Sequence, residues 1–247
     1  MRISIAAVLL AFAGPALADM FKVDNAIDMP DALPGDGKCS FLPVPPPNGG
    51  ACTLRAAIME ANSTVAHDTI ELVAGVTYLL TQPGAGEDNA VTGDLDIRQP
   101  VTIRPPTFFG IPSAMATIDA NALGPVFDIM NVTDEGVTLI GLKLQGGDFG
   151  NQLQKRGSGI NLEHSKATLS FLDVSAATGD GIYIRDNQIE TTSIHYSTIA
   201  GALDGTAIDI SNALVEIDSS SVIESLTGIS IQQPAAEVVI RNTTISG

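Results

Sequence analysis

The second half of the chain repeats itself at a nearly constant step. Gly-Ile or Ala-Ile pairs end at Ile160, Ile182, Ile208 and Ile229, with gaps of 22, 26 and 21 residues. A second marker, two aliphatics five positions apart, recurs as Leu139 with Leu144, Leu169 with Val174, Ile194 with Ile199, Ile217 with Val222 and Ile240 with Ile245. Its gaps are 30, 25, 23 and 23 residues. A period in this range marks stacked structural units, each too small to bury its apolar face alone.

The five-residue spacing has a geometric meaning. On one flat strand, residues an odd number apart point to opposite faces. A bend between the two aliphatics returns both to the interior, so each unit holds two short strands meeting at a corner. The Gly-Ile or Ala-Ile segment supplies a third. Corresponding strands of successive units then lie parallel, about 4.8 Å apart. The expected fold is an all-β, right-handed parallel β-helix, the hand following from the general crossover preference.

Composition agrees with thin stacked layers. Apolar residues make up 45% of the 247, yet aromatics are only 4% and Trp is absent, so small and β-branched side chains must do the packing. The apolar run Ile3 to Ala13, preceded by Arg2 and followed by Gly14-Pro15-Ala16-Leu17-Ala18, has the three regions of a secretory signal, with cleavage predicted after Ala18. A membrane anchor would need about 20 apolar residues, and this run is shorter. No later segment is long and apolar enough to span a bilayer.

Removing residues 1–18 takes away Arg2 and no acid, so the net charge moves from −16 to −17. That balance excludes nucleic acid as a partner, because phosphate binding needs clustered Lys and Arg. Anionic membranes are disfavoured for the same reason. Solubility of a secreted protein explains the acidity; bound calcium or a cationic ligand is the sharper alternative.

The two cysteines, Cys39 and Cys52, both follow the signal. In an oxidising compartment they are expected to pair across a loop rich in Pro and Gly, the alternative being two free thiols. Beyond them, Leu54, Ala57, Ile58 and Ala61 fall at i, i+3, i+4 and i+7, which predicts a short amphipathic helix over residues 53–62. Thr53 suits its N-cap and Asn62 its C-terminal stop. Such a helix can cover the open first layer of a strand stack. Phe21 and Val23 suggest an opening strand. From Thr69 onward the strand-like pieces are Thr69–Leu72, Thr77–Thr81, Leu95–Ile97, Val101–Ile103, Ala116–Ile118 and Val126–Ile129. The predicted organisation is a signal over 1–18, an N-terminal cap over 19–67, and a parallel β-helix over 68–247 that is incomplete at its C-terminal end.

The cap resembles a known family. Cys52-Thr53-Leu54-Arg55-Ala56-Ala57, followed by Ile58 and Ala61-Asn62, is similar to the Cys-Ser-Leu-Arg-Glu-Ala motif of secreted proteins with a CSLREA domain, departing from it at Thr53 and Ala56. Pro34-Gly35-Asp36-Gly37-Lys38-Cys39, Asp68-Thr69-Ile70, Gly93-Asp94-Leu95-Asp96-Ile97 and Thr117-Ile118-Asp119 look like the rest of that pattern. The resemblance covers about residues 20–120. It implies a secreted or cell-surface β-helix, often bacterial, and carries no agreed catalytic set. The later repeats look like parallel β-helix repeats of the pectate-lyase-like kind.

Chemistry is harder to place. The best local group is Asp180, Arg185 and Asp186, with His164 and His195 in flanking units and Asp204 and Asp209 one unit later. Paired carboxylates there would hold calcium or divide acid and base roles, as in polysaccharide lyases and hydrolases of this superfold. Gly179-Asp180-Gly181 and Asp186-Asn187 are equally ordinary turn signals. The sequons at Asn62, Asn131 and Asn242 are what chance gives in a Ser/Thr-rich chain.

Two function classes therefore stand. One is a secreted, periplasmic or cell-surface β-helix with a binding, adhesive or structural role toward a polysaccharide or surface ligand. The other is a carbohydrate-active enzyme, a lyase or glycoside hydrolase. Two carboxylates and a basic group in one groove would favour the enzyme. Gln145 to Ser158, enlarging one unit, is either a binding loop or a plain long loop. The repeat pattern stops at Ile245-Ser246-Gly247, so self-association through an open terminal layer, or a longer gene, is also expected.

Overall fold

Each repeat folds as three short strands separated by corners, and the corresponding strands of successive repeats pair in parallel. The computed structural model describes residues 17–43, 50–84, 87–148, 157–176, 178–188, 190–201, 204–232 and 237–246. Most of the expected signal over 1–18, residues 44–49 between the two cysteines, and residues 149–156 of the expected Gln145 to Ser158 insertion lie outside the described residues.

Three parallel sheets result. The first runs from Met20–Lys22 through Asp68–Glu71, Val101–Arg104, Val137–Ile140, Ala167–Ser170, Thr191–His195 and Leu214–Asp218 to Val238–Arg241. The second runs from Thr77–Leu79 through Ala116–Asp119, Leu142–Gln145, Asp173–Ser175, Thr198–Ala200 and Ser221–Ile223 to Thr244–Ile245. The third holds Leu95–Ile97, Phe127–Met130, Gly157–Glu163, Asp180–Arg185, Thr206–Ser211 and Thr227–Gln232. The protein is an all-β parallel solenoid, with one short helix among the described residues.

Register explains the repeat. Leu139, Leu169, Ile194, Ile217 and Ile240 are direct partners on the first sheet. Leu144, Val174, Ile199, Val222 and Ile245 are partners on the second. Ile160, Ile182, Ile208 and Ile229 align on the third. Each column is buried along its middle, and each such side chain contributes about 1.5–3 kcal/mol through burial.

The corners are made by single residues in the left-handed region. Two positions after the first aliphatic of each pair stand Gly141, Phe171, Tyr196, Ser219 and Asn242, with φ of 67°, 54°, 51°, 52° and 48°. Beside them, serines close the bend. Ser197 Oγ donates to the His195 carbonyl at 2.8 Å and accepts from Leu172 N at 3.1 Å. Ser220 repeats the pattern with Asp218 and Ser197. Hydroxyls that favour turns thus stitch one coil to the next, which accounts for the Ser/Thr richness without a ligand.

The helix spans Leu54–Ala61, capped by Thr53, whose Oγ1 accepts from Ala56 N at 3.1 Å and donates to the Met29 carbonyl at 2.6 Å. Asn62 ends it and ties it to the solenoid, donating from Nδ2 to the Asp96 carbonyl. The amphipathic expectation is corrected in one respect: all eight helical residues are buried, the charged Arg55 and Glu60 included. The side predicted to face water is covered by the segment around 28–40 and by residues 90–94, and both charges are met by partners there. Cys39 and Cys52 form the disulfide, with Cα atoms 4.9 Å apart. The opening strand Met20–Lys22 pairs with Asp68–Glu71, so the cap and the stack share a sheet.

Candidate functional site

The central position of the third-sheet strands carries polar side chains on successive coils. Asp96, Asp128, Asn161, Tyr183, Asp209 and Ser230 are direct neighbours in register. In sequence each lies between two apolar residues, as in Leu95-Asp96-Ile97 or Ile208-Asp209-Ile210, so alternation turns it to the opposite face from them. Asp96, Asp128, Asn161 and Asp209 are nevertheless buried.

Arg98 organises the first end of this row. Its Nη2 lies 3.2 Å from Asp88 Oδ1, 3.0 Å from Asp96 Oδ1 and 3.3 Å from Asp128 Oδ2. Nη1 donates to the Ile97 and Asp128 carbonyls. Asp96 Oδ2 accepts from Ala90 N at 2.9 Å, and Asp128 Oδ1 accepts from Asn161 Nδ2 at 2.7 Å. Carboxylate oxygens of Asp88, Asp96 and Asp128 lie within 4.8 Å of one another, a spacing suited to a divalent cation. The guanidinium already supplies the positive charge at that point. Farther along the row, Gln232 Nε2 donates to both oxygens of Asp209.

The residues singled out from sequence do not converge. Asp180 and Arg185 begin and end one strand, with Asp186 following, so the two carboxylates stand at opposite ends of about 20 Å of extended chain. Asp180 Oδ1 accepts from Thr206 N, and Asp204 Oδ1 from Gly179 N, both in the bend between the second and third sheets. Asp186 is a left-handed corner residue whose Oδ1 accepts from Asn212 Nδ2 at 3.0 Å. Arg185 pairs with Glu163 one coil earlier. His164 is a corner residue between the third and first sheets, whereas His195 ends a first-sheet strand, so they occupy different edges.

The buried Asp96–Asp128 pair escaped the sequence reading. The two residues are 32 positions apart, and the available signal was the residue between paired aliphatics of the third strand rather than local clustering of acids.

A second surface lies at the corner between the first and second sheets. Phe171 and Tyr196 stack there with ring centroids 5.2 Å apart and planes 18° apart, and Tyr196 is 59% exposed. His195 adjoins, its ring centre 6.4 Å from that of Tyr196. One coil earlier the same position is Gly141, and a side chain there would meet Pro112 Cβ at 2.6 Å. Pro112 closes an antiparallel hairpin of Thr107–Phe108 and Ile111–Pro112, turned by Phe109 and Gly110 at φ of 49° and 79°. Positive φ at both central residues suits a tight hairpin. Phe108 and Phe109 are 74% and 91% exposed at its tip. An aromatic column and an apolar hairpin therefore share one corner.

Among the described residues, no helix is long and apolar enough to cross a membrane. No family model, curated protein or solved structure matches the chain.

Proposed function

We propose that this chain is a secreted, periplasmic or cell-surface solenoid whose role is to bind a polysaccharide or other surface ligand rather than to cleave one. The aromatic corner is the observation that carries this reading. Phe171 and Tyr196 offer ring edges and an exposed face on a rigid edge, with the His195 ring and the Phe108–Phe109 hairpin beside them. Flat aromatic faces beside hydrogen-bonding groups suit ligands with one apolar and one hydroxylated side. Right-handed coiling, an N-terminal export signal and kinship with CSLREA-domain proteins belong to the same proposal, supported by the crossover preference, by residues 1–18 and by the Cys52 to Ala57 run.

The carbohydrate-active reading draws on one observation, the pair Asp96 and Asp128 with Arg98 beside them. Acid–base work on a polymer requires carboxyls that substrate can touch. Both are fully buried, and Arg98 binds both. The arrangement favours a fastening role.

A panel of neutral and acidic polysaccharides, assayed for binding and for chain cleavage with and without calcium, separates the two. The binding role predicts retention on at least one polymer, lost in a Tyr196→Ala, Phe171→Ala double variant, with no cleavage. Release of shortened chains, abolished by Asp128→Asn, would overturn it.

A further inference from the structure

The N-terminal cap buries two carboxyl groups against each other. Glu60 lies on the helix and is fully buried, with Oε2 accepting from Gly35 N at 2.7 Å and Oε1 accepting from Gly37 N. Asp31 is 7% exposed; its Oδ1 accepts from Ser40 N at 3.0 Å, and its own N–H points to the Met59 sulfur at 3.3 Å. The remaining oxygen, Asp31 Oδ2, is buried without a donor and faces the Glu60 carboxyl. Two ionised carboxylates in such a place repel at low dielectric, so a proton between them resolves the conflict.

The three backbone donors flank Cys39 in sequence. Gly35, Gly37 and Ser40 are therefore the points at which the Cys39 half of the disulfide is held to the helix. Alongside lies an open cavity of about 630 Å³ lined by Phe21, Leu33, Cys39 and Cys52 among others. Glu60 from the helix is the charged group set against Asp31; Asp36 and Lys38 from the same segment, and Lys22 and Asp24 from the opening strand and its exit, line the cavity with it. Lys38 pairs with Asp36 and Lys22 with Glu71, each at 3.9 Å, so neither lysine is paired with the buried carboxyls.

We infer that Asp31, set against Glu60, is a proton-operated latch: its protonation holds the disulfide segment 35–40 closed against the helix in acid, and loss of its proton releases the segment. Burial first, and then the Glu60 carboxyl, push Asp31 up to about 6 from its ordinary 3.8. A folded-state value above the unfolded one means that the closed form is favoured fully below the ordinary Asp range. The advantage is lost as pH rises through about 6. On the secreted reading proposed above, a move from an acidic to a neutral medium would thus free the disulfide segment from the helix and speed attack on the Cys39–Cys52 bond.

The test is the rate at which a water-soluble phosphine reduces the Cys39–Cys52 bond in the intact chain, at pH 5 and at pH 8. Asp31→Asn keeps the shape, donates permanently to Glu60 and cannot titrate. The parent is expected to show a pH 8 to pH 5 rate ratio about tenfold larger than the Asn variant, which stays slow at both. Equal ratios in the two proteins would overturn the latch. Carboxyl-carbon NMR on the parent gives a check that needs no variant: Asp31 titrates near 6 if the inference holds, and a midpoint in the ordinary Asp range sinks it.

Discussion

Arg55 and Asp28 form a two-pronged ion pair that is almost wholly enclosed, Nε to Oδ1 at 2.6 Å and Nη2 to Oδ2 at 3.2 Å. The other guanidinium donors reach the carbonyls of Ala90, Gly93 and Asp94 at 3.0, 2.8 and 3.2 Å. All five N–H groups of the side chain are therefore used. Asp28 also accepts from Thr81 N and Gln82 N, so one salt bridge joins the helix, the opening segment and the first two coils.

Removing one partner of a buried pair strands the other charge, at about 3–5 kcal/mol. Arg55→Met is expected to lose that much in urea unfolding. Arg55→Lys should recover little, because an ammonium cannot supply five donors in a plane. A loss below about 1 kcal/mol for the Met variant would contradict the enclosed, five-donor placement of Arg55.

Arg98 makes a prediction about calcium. In the parent, millimolar calcium should leave the melting temperature unchanged, because the guanidinium holds Asp88, Asp96 and Asp128 together. Arg98→Ala is expected to destabilise by about 3 kcal/mol or more, and added calcium should restore part of the loss. Calcium stabilisation of the parent equal to that of the variant would refute the competition.

Position along the stack sets the cost of core truncation. Ile194 is fully buried, whereas Ile245, on the last described coil, is 50% exposed. Ile194→Ala is expected to cost about 2–5 kcal/mol in urea unfolding. Ile245→Ala, with much of its surface already in water, should cost about 1 kcal/mol or less. Similar losses at both sites would be incompatible with the register given above.

The stacked rings at the corner are open to a double-mutant cycle. Phe171→Ala, Tyr196→Ala and the double variant should give a coupling of about 0.5–1.5 kcal/mol in stability. Additive losses would mean that the rings do not touch in solution.

The solenoid was legible in the sequence because its signal is local: aliphatics five apart with a bend between them leave no other way to bury both. Ile194 with Ile199 shows this, the turn coming at Tyr196. The helix was legible for a similar reason, through the spacing of Leu54, Ala57, Ile58 and Ala61. The polar sites were not. Asp180 and Asp186 are close in sequence, yet an extended strand holds them apart. Asp96 and Asp128, or Asp31 and Glu60, are far apart in sequence and meet only because coils stack and the cap folds over. Partners of buried charges depend on tertiary neighbours, which hydrophobic periodicity does not encode.

The alignment of Ile160, Ile182, Ile208 and Ile229 has an evolutionary corollary. Since each turn of the spiral presents the same cross-section to the next, gain or loss of one whole turn alters the length of the rod by about 4.8 Å and leaves its girth untouched. Reach is thus a quantity that duplication can adjust in equal increments, without redesigning either the lid or the wall.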